Sequence, residues 1–357
     1  MAAKENERAR MNVGILTGGG DCPGLNAVIR AVVYKGVGHY HDNVYGIYEG
    51  WKGLLDGGRV APLLIEDVVD ILNQGGTILK TTRTNPFKHR DGIALIKRNI
   101  DKYQLDAVIA VGGEDTLSVA EKLHEEGVKV IGVPKTIDND VAGTDQTFGF
   151  DTAVNIATEA IDRVRSTAES HNRVVIVEVM GRHSGWIAVK AGIAGGANLI
   201  LVPEFPVDVN DVVSRIVKRH ARGEQYSVVV VAEGATLKSE SGEAKVITFD
   251  HEMDEFGHVR LGGIAHILST LLREKTAYDC RTVILGHIQR GGIPSAFDRV
   301  LATRYGTRAI DLVHQADFGT MVALRGTDIV STPLTEAMRA IKKIDRELYE
   351  IAEVFFG

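Results

Sequence analysis

Apolar runs of strand length alternate with amphipathic helical stretches along most of the chain. Residues 107–111 and 128–133 are two such runs, and the stretch 116–126 between them repeats its apolar residues on one face of a helix. Gly127 follows that stretch at the place where helices commonly end. The pattern predicts a strand–helix–strand unit whose two strands are parallel neighbours in a sheet.

The same alternation continues on both sides of this unit. Buried strands are predicted at 13–17 and 173–179, and amphipathic helices at 25–37 and 151–170. One C-terminal helix is predicted from about Leu334. Alternation of this kind predicts an α/β protein with two lobes, each a mostly parallel sheet flanked by helices.

Composition and charge narrow the class of protein. With 357 residues the chain is long enough for two domains, each with its own core. A net charge of −6 gives no electrostatic basis for binding nucleic acid, and no apolar run reaches the roughly 20 residues of a membrane helix. The two cysteines are far apart and have no metal-ligand spacing, which indicates a reducing, cytoplasmic location. The polar residues 1–10 are predicted to be a disordered tail.

Residues suited to phosphate chemistry follow both strands of the strand–helix–strand unit. The first strand is followed by GGEDT at 112–116, and the second by PKTIDND at 134–140. Because open α/β sheets bind ligands at the carboxyl ends of their strands, both loops are expected at one site. Glycines let the backbone approach phosphate, and carboxylates suit Mg²⁺. With a lysine and two aspartates as cation and possible base, the pattern predicts phosphoryl transfer.

A second glycine-rich loop, GGGDCPG at 18–24, follows the predicted strand 13–17. It matches neither of the two common phosphate-loop motifs, so by itself it is as compatible with a tight turn as with a phosphate site. The loop supports the prediction of a phosphate site only if it lies at the same sheet edge as GGEDT. Asp138 and Asp140 leave a similar choice open, because D-N-D is also good turn chemistry.

Arginines occur at predicted strand ends or in the loops that follow them, namely Arg173, Arg182, Arg281 and Arg290. Each one alone is compatible with a paired surface residue. Four of them in a net-acidic chain favour an anionic substrate, because guanidinium binds phosphate with two parallel hydrogen bonds. Glu233 follows a buried strand and needs a hydroxyl or a cation to offset the cost of its burial.

Seven motifs occur in the order found in phosphofructokinases, and the chain is similar to that family from about Val13 to Arg299. They are GGGDCPGLN, GGTILKTTR, GGEDT, PKTIDND, EVMGRHSGW, AEG and GHIQRGG. The resemblance implies Mg²⁺-assisted phosphoryl transfer to the 1-hydroxyl of fructose 6-phosphate, which gives fructose 1,6-bisphosphate in glycolysis or gluconeogenesis. It also implies a large donor-binding lobe, residues 11–149 with about 289–339, and a smaller fructose 6-phosphate lobe, about 150–288 with 340–357.

The resemblance implies a role for each motif residue. Asp138 would be the general base. Further catalytic residues would be Lys135, Asp115 and Arg83. The donor would be contacted by Gly20, Gly113 and Thr116, and Mg²⁺ would be held by Glu114.

Fructose 6-phosphate would be bound by residues of four motifs, namely Thr136, Asp140, Met180, Gly181, Arg182, Glu233, His287 and Arg290. In this family the site is completed from a neighbouring subunit, here by Arg173 and Arg281. The resemblance therefore implies a homo-oligomer, a dimer or a tetramer, with active sites shared between subunits.

Two residues indicate which compound donates the phosphoryl group. Asp115 and Lys135 stand where the common bacterial ATP-dependent pattern has glycines, which resembles the pyrophosphate-dependent and mixed-substrate bacterial members. Pyrophosphate is therefore the predicted donor, and ATP is the alternative. Asp115 has an alternative role as well, since it could cap a helix that begins near Thr116.

Two functions outside this class are weaker interpretations. A nicotinamide-dependent dehydrogenase is a common function for a glycine-rich α/β chain, but G-x-G-x-x-G is absent. A non-catalytic metabolite sensor would not need the intact Asp138.

Overall fold

The computed structural model describes residues 10–57, 59–238, 244–246, 248–257 and 259–356. The predicted tail at residues 1–10 lies outside these ranges except for Arg10. The chain divides into two compact units. Unit 1 contains the described part of Met1–Thr136 with Val141–Gly149 and Gly291–Ala340, and unit 2 contains Ile137–Asp140, Phe150–Arg290 and the described part of Ile341–Gly357.

Strands and helices alternate along the described chain. The strands, labelled β1 to β16 in chain order, are Asn12–Thr17, Asn43–Ile47, Val60–Pro62, Ala107–Gly112, Val130–Pro134, Val174–Val179, Leu199–Leu201, Val207–Asp208, Ser227–Ala232, Thr236–Lys238, Ala244–Val246, Thr248–Met253, Val259–Leu261, Cys280–Ile284, Thr320–Arg325 and Asp328–Pro333. The α-helices, labelled α1 to α12 in the same way, are Leu25–Lys35, Trp51–Leu55, Ile65–Val68, Gly92–Lys102, Glu114–Glu125, Phe150–His171, Trp186–Ala194, Val209–Ala221, Ile264–Thr276, Ala296–His314, Leu334–Ala337 and Arg346–Glu353. Short turns at Pro86–Lys88 and Gly286–Arg290 are 3-10 helical, and Gly36–Tyr40 is π-helical. None of the described helices is both long and apolar enough to cross a membrane.

Unit 1 is built on a seven-stranded sheet in the order β16-β15-β5-β4-β1-β2-β3. The five central strands are parallel, and β3 and β16 run antiparallel at the two edges. β4 and β5 pair as parallel neighbours, which confirms the prediction for the strand–helix–strand unit. Every residue of β4 is buried, as expected for a parallel strand that helices cover on both faces.

Unit 2 contains a four-stranded parallel sheet in the order β14-β6-β9-β7. Apolar residues of the sheet, such as Ile176 and Val229, pack with Ile216 of α8 and Leu268 of α9 in one core cluster. Strands β8, β10 and β11 form a small separate sheet, and β12 pairs with β13. The predicted α/β class, with a mostly parallel main sheet in each lobe, is confirmed.

The predicted C-terminal helix begins at Leu334, as expected, but it is not continuous. α11 ends at Ala337 and α12 begins only at Arg346. Between them the backbone N–H groups of Lys342 and Ile344 donate to Asp140 O and to the Glu204 carboxylate, at 2.8 and 3.1 Å. These bonds to distant residues replace the bonds that a continuous helix would make within itself.

Candidate active site

The two glycine-rich loops of unit 1 lie side by side at the carboxyl edge of its sheet. β1 and β4 are adjacent parallel strands, and Gly18 N donates to Val111 O at 2.9 Å. A Cβ added at Gly18 would lie 2.5 Å from Thr116 Oγ1, and one added at Gly112 would lie 2.2 Å from Thr116 Cβ. Glycine is therefore required in both loops by close approach. The loop at 18–24 is part of the same edge as GGEDT, which favours the phosphate-site interpretation over an isolated turn.

Lys135 follows β5, and its ammonium reaches the first glycine loop. The residue is only 2% exposed, and Nζ donates to the Gly20 carbonyl oxygen. A Cβ added at Gly19 would lie 3.6 Å from Nζ, so the loop passes close to the cation. A buried ammonium needs nearby acceptors or an anion to offset lost hydration. Its position beside the glycine loop suits a bound phosphate group. Thr136 follows directly and ends this stretch of unit 1.

The GGTILKTTR motif is fixed against the same glycine loop. Thr81 Oγ1 donates to Gly19 O at 2.6 Å, and Gly19 N donates to Thr82 O at 3.0 Å. Thr17 Oγ1 donates to Lys80 O at 2.8 Å. Arg83 comes next in the chain, and its side chain is exposed. Residues 80–82, directly before the exposed Arg83, are therefore bound to the glycine-rich loop at the sheet edge.

Helix α5 begins at Glu114 with Gly113 as its N-cap. The predicted start at residue 116 is wrong, and Asp115 lies inside the first turn instead of capping a helix that begins near Thr116. Acidic side chains are favoured there because the N-terminal N–H groups carry partial positive charge. Thr116 is buried, and its carbonyl accepts from Trp51 Nε1 at 3.2 Å.

Glu114 is exposed at this helix start and is the predicted metal ligand. In the part of the chain that the structure describes, no group of three or more His, Cys, Asp or Glu side chains is arranged to hold a metal ion. Mg²⁺ in phosphoryl-transfer sites commonly takes one or two protein carboxylates and completes its shell with water and substrate phosphates. An exposed Glu114 beside the phosphate loops fits that kind of shared site.

In unit 2 the carboxyl ends of β6 and β9 bring two further motifs together. Gly234 N donates to Gly181 O at 3.0 Å, and Glu233 N donates to Val179 O at 2.8 Å. A Cβ added at Gly234 would lie 2.0 Å from Arg182 O. Gly181 has φ +139°, which favours glycine. The EVMGRHSGW motif, which includes Met180, and the AEG motif therefore form one surface.

The GHIQRGG motif joins the same edge through a buried glutamine. β14 is the parallel neighbour of β6, and its chain continues into the turn Gly286–Arg290. Gln289 is 0% exposed, accepts from Met180 N at 3.4 Å and donates to Gly286 O at 3.1 Å. The turn carries an exposed His287 and a half-buried Arg290. Gln289 is not among the predicted site residues, and only its place inside a motif could have indicated its role.

The carboxyl of Glu233, at this edge, has a raised pKa. Burial raises the pKa of its carboxyl to about 7, and the charge of Asp138 adds to the increase, while Arg182 and Arg290 oppose it. Removing a carboxylate from water penalises the charged form, which is the larger of these effects. Near neutral pH this group can therefore accept or donate a hydrogen bond to a hydroxyl ligand.

We expect Glu233→Gln to stabilise the protein at about pH 8.5 but not at about pH 4.5. The folded-state pKa of Glu233 lies above its ordinary value of 4.5, so its stabilising contribution is complete below that value and is lost as the pH rises through about 7. The free energy of unfolding that Glu233 contributes changes by at most about 3 kcal/mol between the two pH values. Thermal unfolding of both proteins at the two pH values measures it, with the exposed Glu347→Gln as control. Equal pH dependence in the wild type and Glu233→Gln would contradict the expectation.

The Asp138-Asn139-Asp140 turn belongs to unit 2 and is held from several directions. Asn139 is 3% exposed and has φ +52°, a left-handed conformation that asparagine tolerates better than most residues. Ser184 Oγ donates to Asp138 O at 3.1 Å. Lys342 N donates to Asp140 O at 2.8 Å, and Lys342 Nζ donates to Asn139 Oδ1 at 2.9 Å. The turn is thereby tied to the EVMGRHSGW loop and to the C-terminal segment.

Arg173 and Arg281 lie at the opposite, amino edge of the unit 2 sheet. Arg173 precedes β6 and Arg281 is the second residue of β14. Both bind the Asp279 carboxylate, Arg173 Nε at 2.7 Å, and the Arg173 hydrogen bond is the main cause that lowers the pKa of Asp279. A six-residue strand spans about 20 Å. Within one chain these two arginines are therefore not brought together with Arg182 and Arg290.

Known proteins are similar to this chain along nearly its whole length. The phosphofructokinase family model matches residues 12–313. A pyrophosphate–fructose 6-phosphate 1-phosphotransferase of Streptomyces coelicolor is 56% identical, over 97% of this chain and 100% of the relative. ATP-dependent 6-phosphofructokinase 3 of the same organism is 49% identical, over 96% of this chain and 99% of the relative. Among solved structures, the T-state phosphofructokinase of Pichia pastoris has a TM-score of 0.81 and 31% identity, over 97% of this chain and 36% of that one.

Proposed function

Because the chain belongs to the phosphofructokinase family, we propose that it transfers a phosphoryl group from pyrophosphate to the 1-hydroxyl of fructose 6-phosphate. The products are fructose 1,6-bisphosphate and phosphate. Transfer from pyrophosphate has no large free-energy drop, so the reaction runs in both directions and serves glycolysis and gluconeogenesis. Relatives named for this activity are 56% and 57% identical over 97% of this chain and 100% of each relative.

The position of the Lys135 ammonium is the main observation that supports pyrophosphate as the donor. It is buried at the carboxyl edge of the unit 1 sheet and bound to Gly20 of the glycine loop. Pyrophosphate concentrates its negative charge in two adjacent groups, and a buried ammonium stabilises that charge. The same ammonium stabilises the phosphate that leaves. Asp115, in the first turn of α5, adds a carboxylate that repels the additional phosphate of a nucleotide.

Asp138 acts as the general base. The 1-hydroxyl oxygen attacks the terminal phosphorus of pyrophosphate, its proton passes to the Asp138 carboxylate, and the bond from that phosphorus to the bridging oxygen breaks. Arg83 stabilises the transferring group, and Lys135 the leaving phosphate. Backbone contacts to the donor come from Gly20, Gly113 and Thr116.

Mg²⁺ is the proposed cofactor, held by Glu114 together with the donor phosphates. When bound, it neutralises charge on the phosphate oxygens. The support from this chain is the exposed carboxylate at the start of α5, directly after the GGEDT glycines.

Fructose 6-phosphate is bound at the carboxyl edge of the unit 2 sheet. Hydroxyl groups of the sugar are contacted by Met180, Gly181, Arg182 and Glu233, with Thr136 and Asp140 beside the base in sequence. The 6-phosphate is bound by His287 and Arg290. The convergence of three motifs on one edge, with a carboxyl whose pKa lies near neutrality, supports this assignment.

The enzyme acts as a homo-oligomer, a dimer or tetramer, in which Arg173 and Arg281 complete the site of a neighbouring subunit. Their place at the amino edge supports this, because their own chain has its phosphate-binding residues at the carboxyl edge, and β6 alone spans about 20 Å between the two edges. Their side chains are 27% and 51% exposed, and Asp279 orients both.

We expect a mixture of two inactive variants, Asp138→Asn and Arg173→Ala, to regain activity. Hybrid oligomers would contain some sites in which an intact Asp138 meets an intact Arg173. Activity is measured after the subunits are dissociated and reassembled, with each variant alone as control. No recovery in hybrids whose formation is verified by mass would show that each subunit uses its own arginines.

ATP is the second candidate donor, because relatives named as ATP-dependent enzymes are 49% to 50% identical over nearly the full chain. Initial rates with pyrophosphate and with ATP, measured on one preparation with Mg²⁺ and fructose 6-phosphate, test the proposal. No transfer from either donor would overturn the activity itself. Transfer from ATP alone would move the chain to the second candidate.

A further inference from the structure

The C-terminal segment of unit 2 contains a lysine that belongs to none of the seven motifs. Lys342 lies between α11 and α12, beyond the residues 12–313 that the family model matches. Its side chain is half-buried, whereas the neighbouring Lys343 is exposed. The two adjacent lysines therefore differ in environment, and only one faces into unit 2.

Lys342 holds two consecutive residues of the Asp138 turn. Its backbone N donates to Asp140 O at 2.8 Å, and its ammonium donates to Asn139 Oδ1 at 2.9 Å. Asn139 is buried in a left-handed conformation, which is unfavourable for most residues other than glycine. Such a conformation persists only when surrounding contacts favour it. Lys342 supplies two of those contacts to the residues directly after Asp138.

The same lysine also contacts the loop that carries the sugar-binding residues. Trp186 Nε1 donates to Lys342 O at 3.0 Å, and Lys342 Nζ lies 5.3 Å from the centroid of the Trp186 ring. Trp186 begins α7 immediately after the loop of Gly181 and Arg182. Ser184 of that loop donates to Asp138 O at 3.1 Å. Lys342 therefore bridges the loop and the turn.

A second anchor fixes the position of Lys342. Ile344 is 5% exposed, and its N–H donates to Glu204 Oε1 at 3.1 Å. Glu204 also accepts from Gly185 N at 3.1 Å, at the N-cap of α7. The segment is thus bound to the start of α7 at two points, at Lys342 through Trp186 and at Ile344 through Glu204.

We propose that Lys342 is a positioning residue for phosphoryl transfer, and that it fixes the Asp138 turn against the loop of Gly181 and Arg182. The proposal rests on the proposed function, and it adds a residue remote in sequence that acts through Asn139 and Asp140. General-base catalysis depends on hydrogen-bond geometry, and displacement of a reacting group by about 1 Å reduces rate by about 10²-fold. Loss of the ammonium therefore affects turnover more than binding of the sugar phosphate.

The test compares Lys342→Met, which keeps the methylene stem and the backbone N–H, with the exposed control Lys343→Met. For Lys342→Met we expect kcat to fall by about 10- to 100-fold and KM for fructose 6-phosphate to stay within about threefold. The melting temperature should remain within about 2 °C of the control. Lys342→Arg retains a charged donor and should recover part of the lost kcat.

A double-mutant cycle with Asn139→Gly separates positioning from a general structural effect. Glycine adopts the left-handed conformation readily and has no side-chain acceptor for the lysine. In that background Lys342→Met should lower kcat by a clearly smaller factor than it does in the wild type, since the two residues are coupled. Additive effects, or a fall in kcat that only follows a lower melting temperature, would overturn the proposal.

Amide hydrogen exchange in residues 137–141 provides a measurement without turnover. Faster exchange in Lys342→Met than in Lys343→Met supports the proposal. Unchanged kcat in Lys342→Met overturns it. If the wild type transfers no phosphoryl group from either donor, the proposed function fails separately, and equal exchange in the two variants then overturns the role of Lys342 as well.

Discussion

Asp138→Asn is expected to lower kcat by about 10²- to 10⁴-fold, the usual range for loss of a general base. An amide has the same shape as the carboxylate but does not take the proton of the 1-hydroxyl at neutral pH. The hydrogen bonds to Asp138 O, Asp140 O and Asn139 Oδ1 do not involve the Asp138 carboxylate, so the variant keeps them. Fructose 6-phosphate should therefore still bind, as measured by calorimetry.

The control for this variant is Asp162→Asn, which changes an exposed aspartate of α6 in the same unit. If Asp138→Asn keeps more than about a tenth of the wild-type kcat, Asp138 is not the base. A second readout comes from Glu233. Because the charge of Asp138 contributes to the raised pKa of Glu233, its removal should lower that pKa and weaken the pH dependence of stability described above. Unchanged pH dependence would show that the two carboxyls do not interact.

Asp115→Gly and Lys135→Gly are expected to change the donor preference in different ways. The wild type should prefer pyrophosphate over ATP by at least about tenfold in kcat/KM. Two like charges about 4 Å apart, at an effective dielectric constant near 20, repel by about 4 kcal/mol, so Asp115→Gly could raise ATP use by up to about 10³-fold. Lys135→Gly should mainly lower pyrophosphate use, because it removes the cation beside the glycine loop.

Two further variants separate charge from space. Asp115→Asn keeps the size of the side chain without its charge, and Lys135→Met keeps the buried stem without the ammonium. If repulsion excludes ATP, Asp115→Asn should raise ATP use nearly as much as Asp115→Gly. If bulk excludes it, only the glycine variant should do so. A wild type that uses ATP better than pyrophosphate would contradict both explanations and assign the chain to the ATP-dependent branch.

Most of the unit 1 site followed from the sequence because it is built from local patterns. The apolar runs before GGEDT and PKTIDND predicted adjacent parallel strands, and adjacent parallel strands bring their following loops to one edge. Spacing alone did not decide whether the loop at 18–24 shared that edge. This was decided by the pairing of β1 with β4, a contact between segments far apart in the chain.

Helix boundaries and the C-terminal segment were predicted less well. Periodicity predicts a start at Thr116 for α5 because it depends on apolar residues, whereas the helix begins with Glu114 and Asp115, which are polar. The break between α11 and α12 has one local sign, Asp345, whose carboxylate caps α12 by accepting from Leu348 N at 2.7 Å. The break results from hydrogen bonds to Asp140 and Glu204, and such bonds override the helical preference of the segment.

The sequence by itself determined the family, the α/β class and the motif residues, because periodicity and motif spacing are local properties of the chain. Only the tertiary structure decided which residues act as one group. It separated Arg173 and Arg281 from Arg182 and Arg290 by the length of a strand, since parallel strands carry their two ends to opposite edges. It also joined Lys342 to Asn139, two residues 203 positions apart, through a hydrogen bond that depends on how the chain folds back and not on any pattern around either residue.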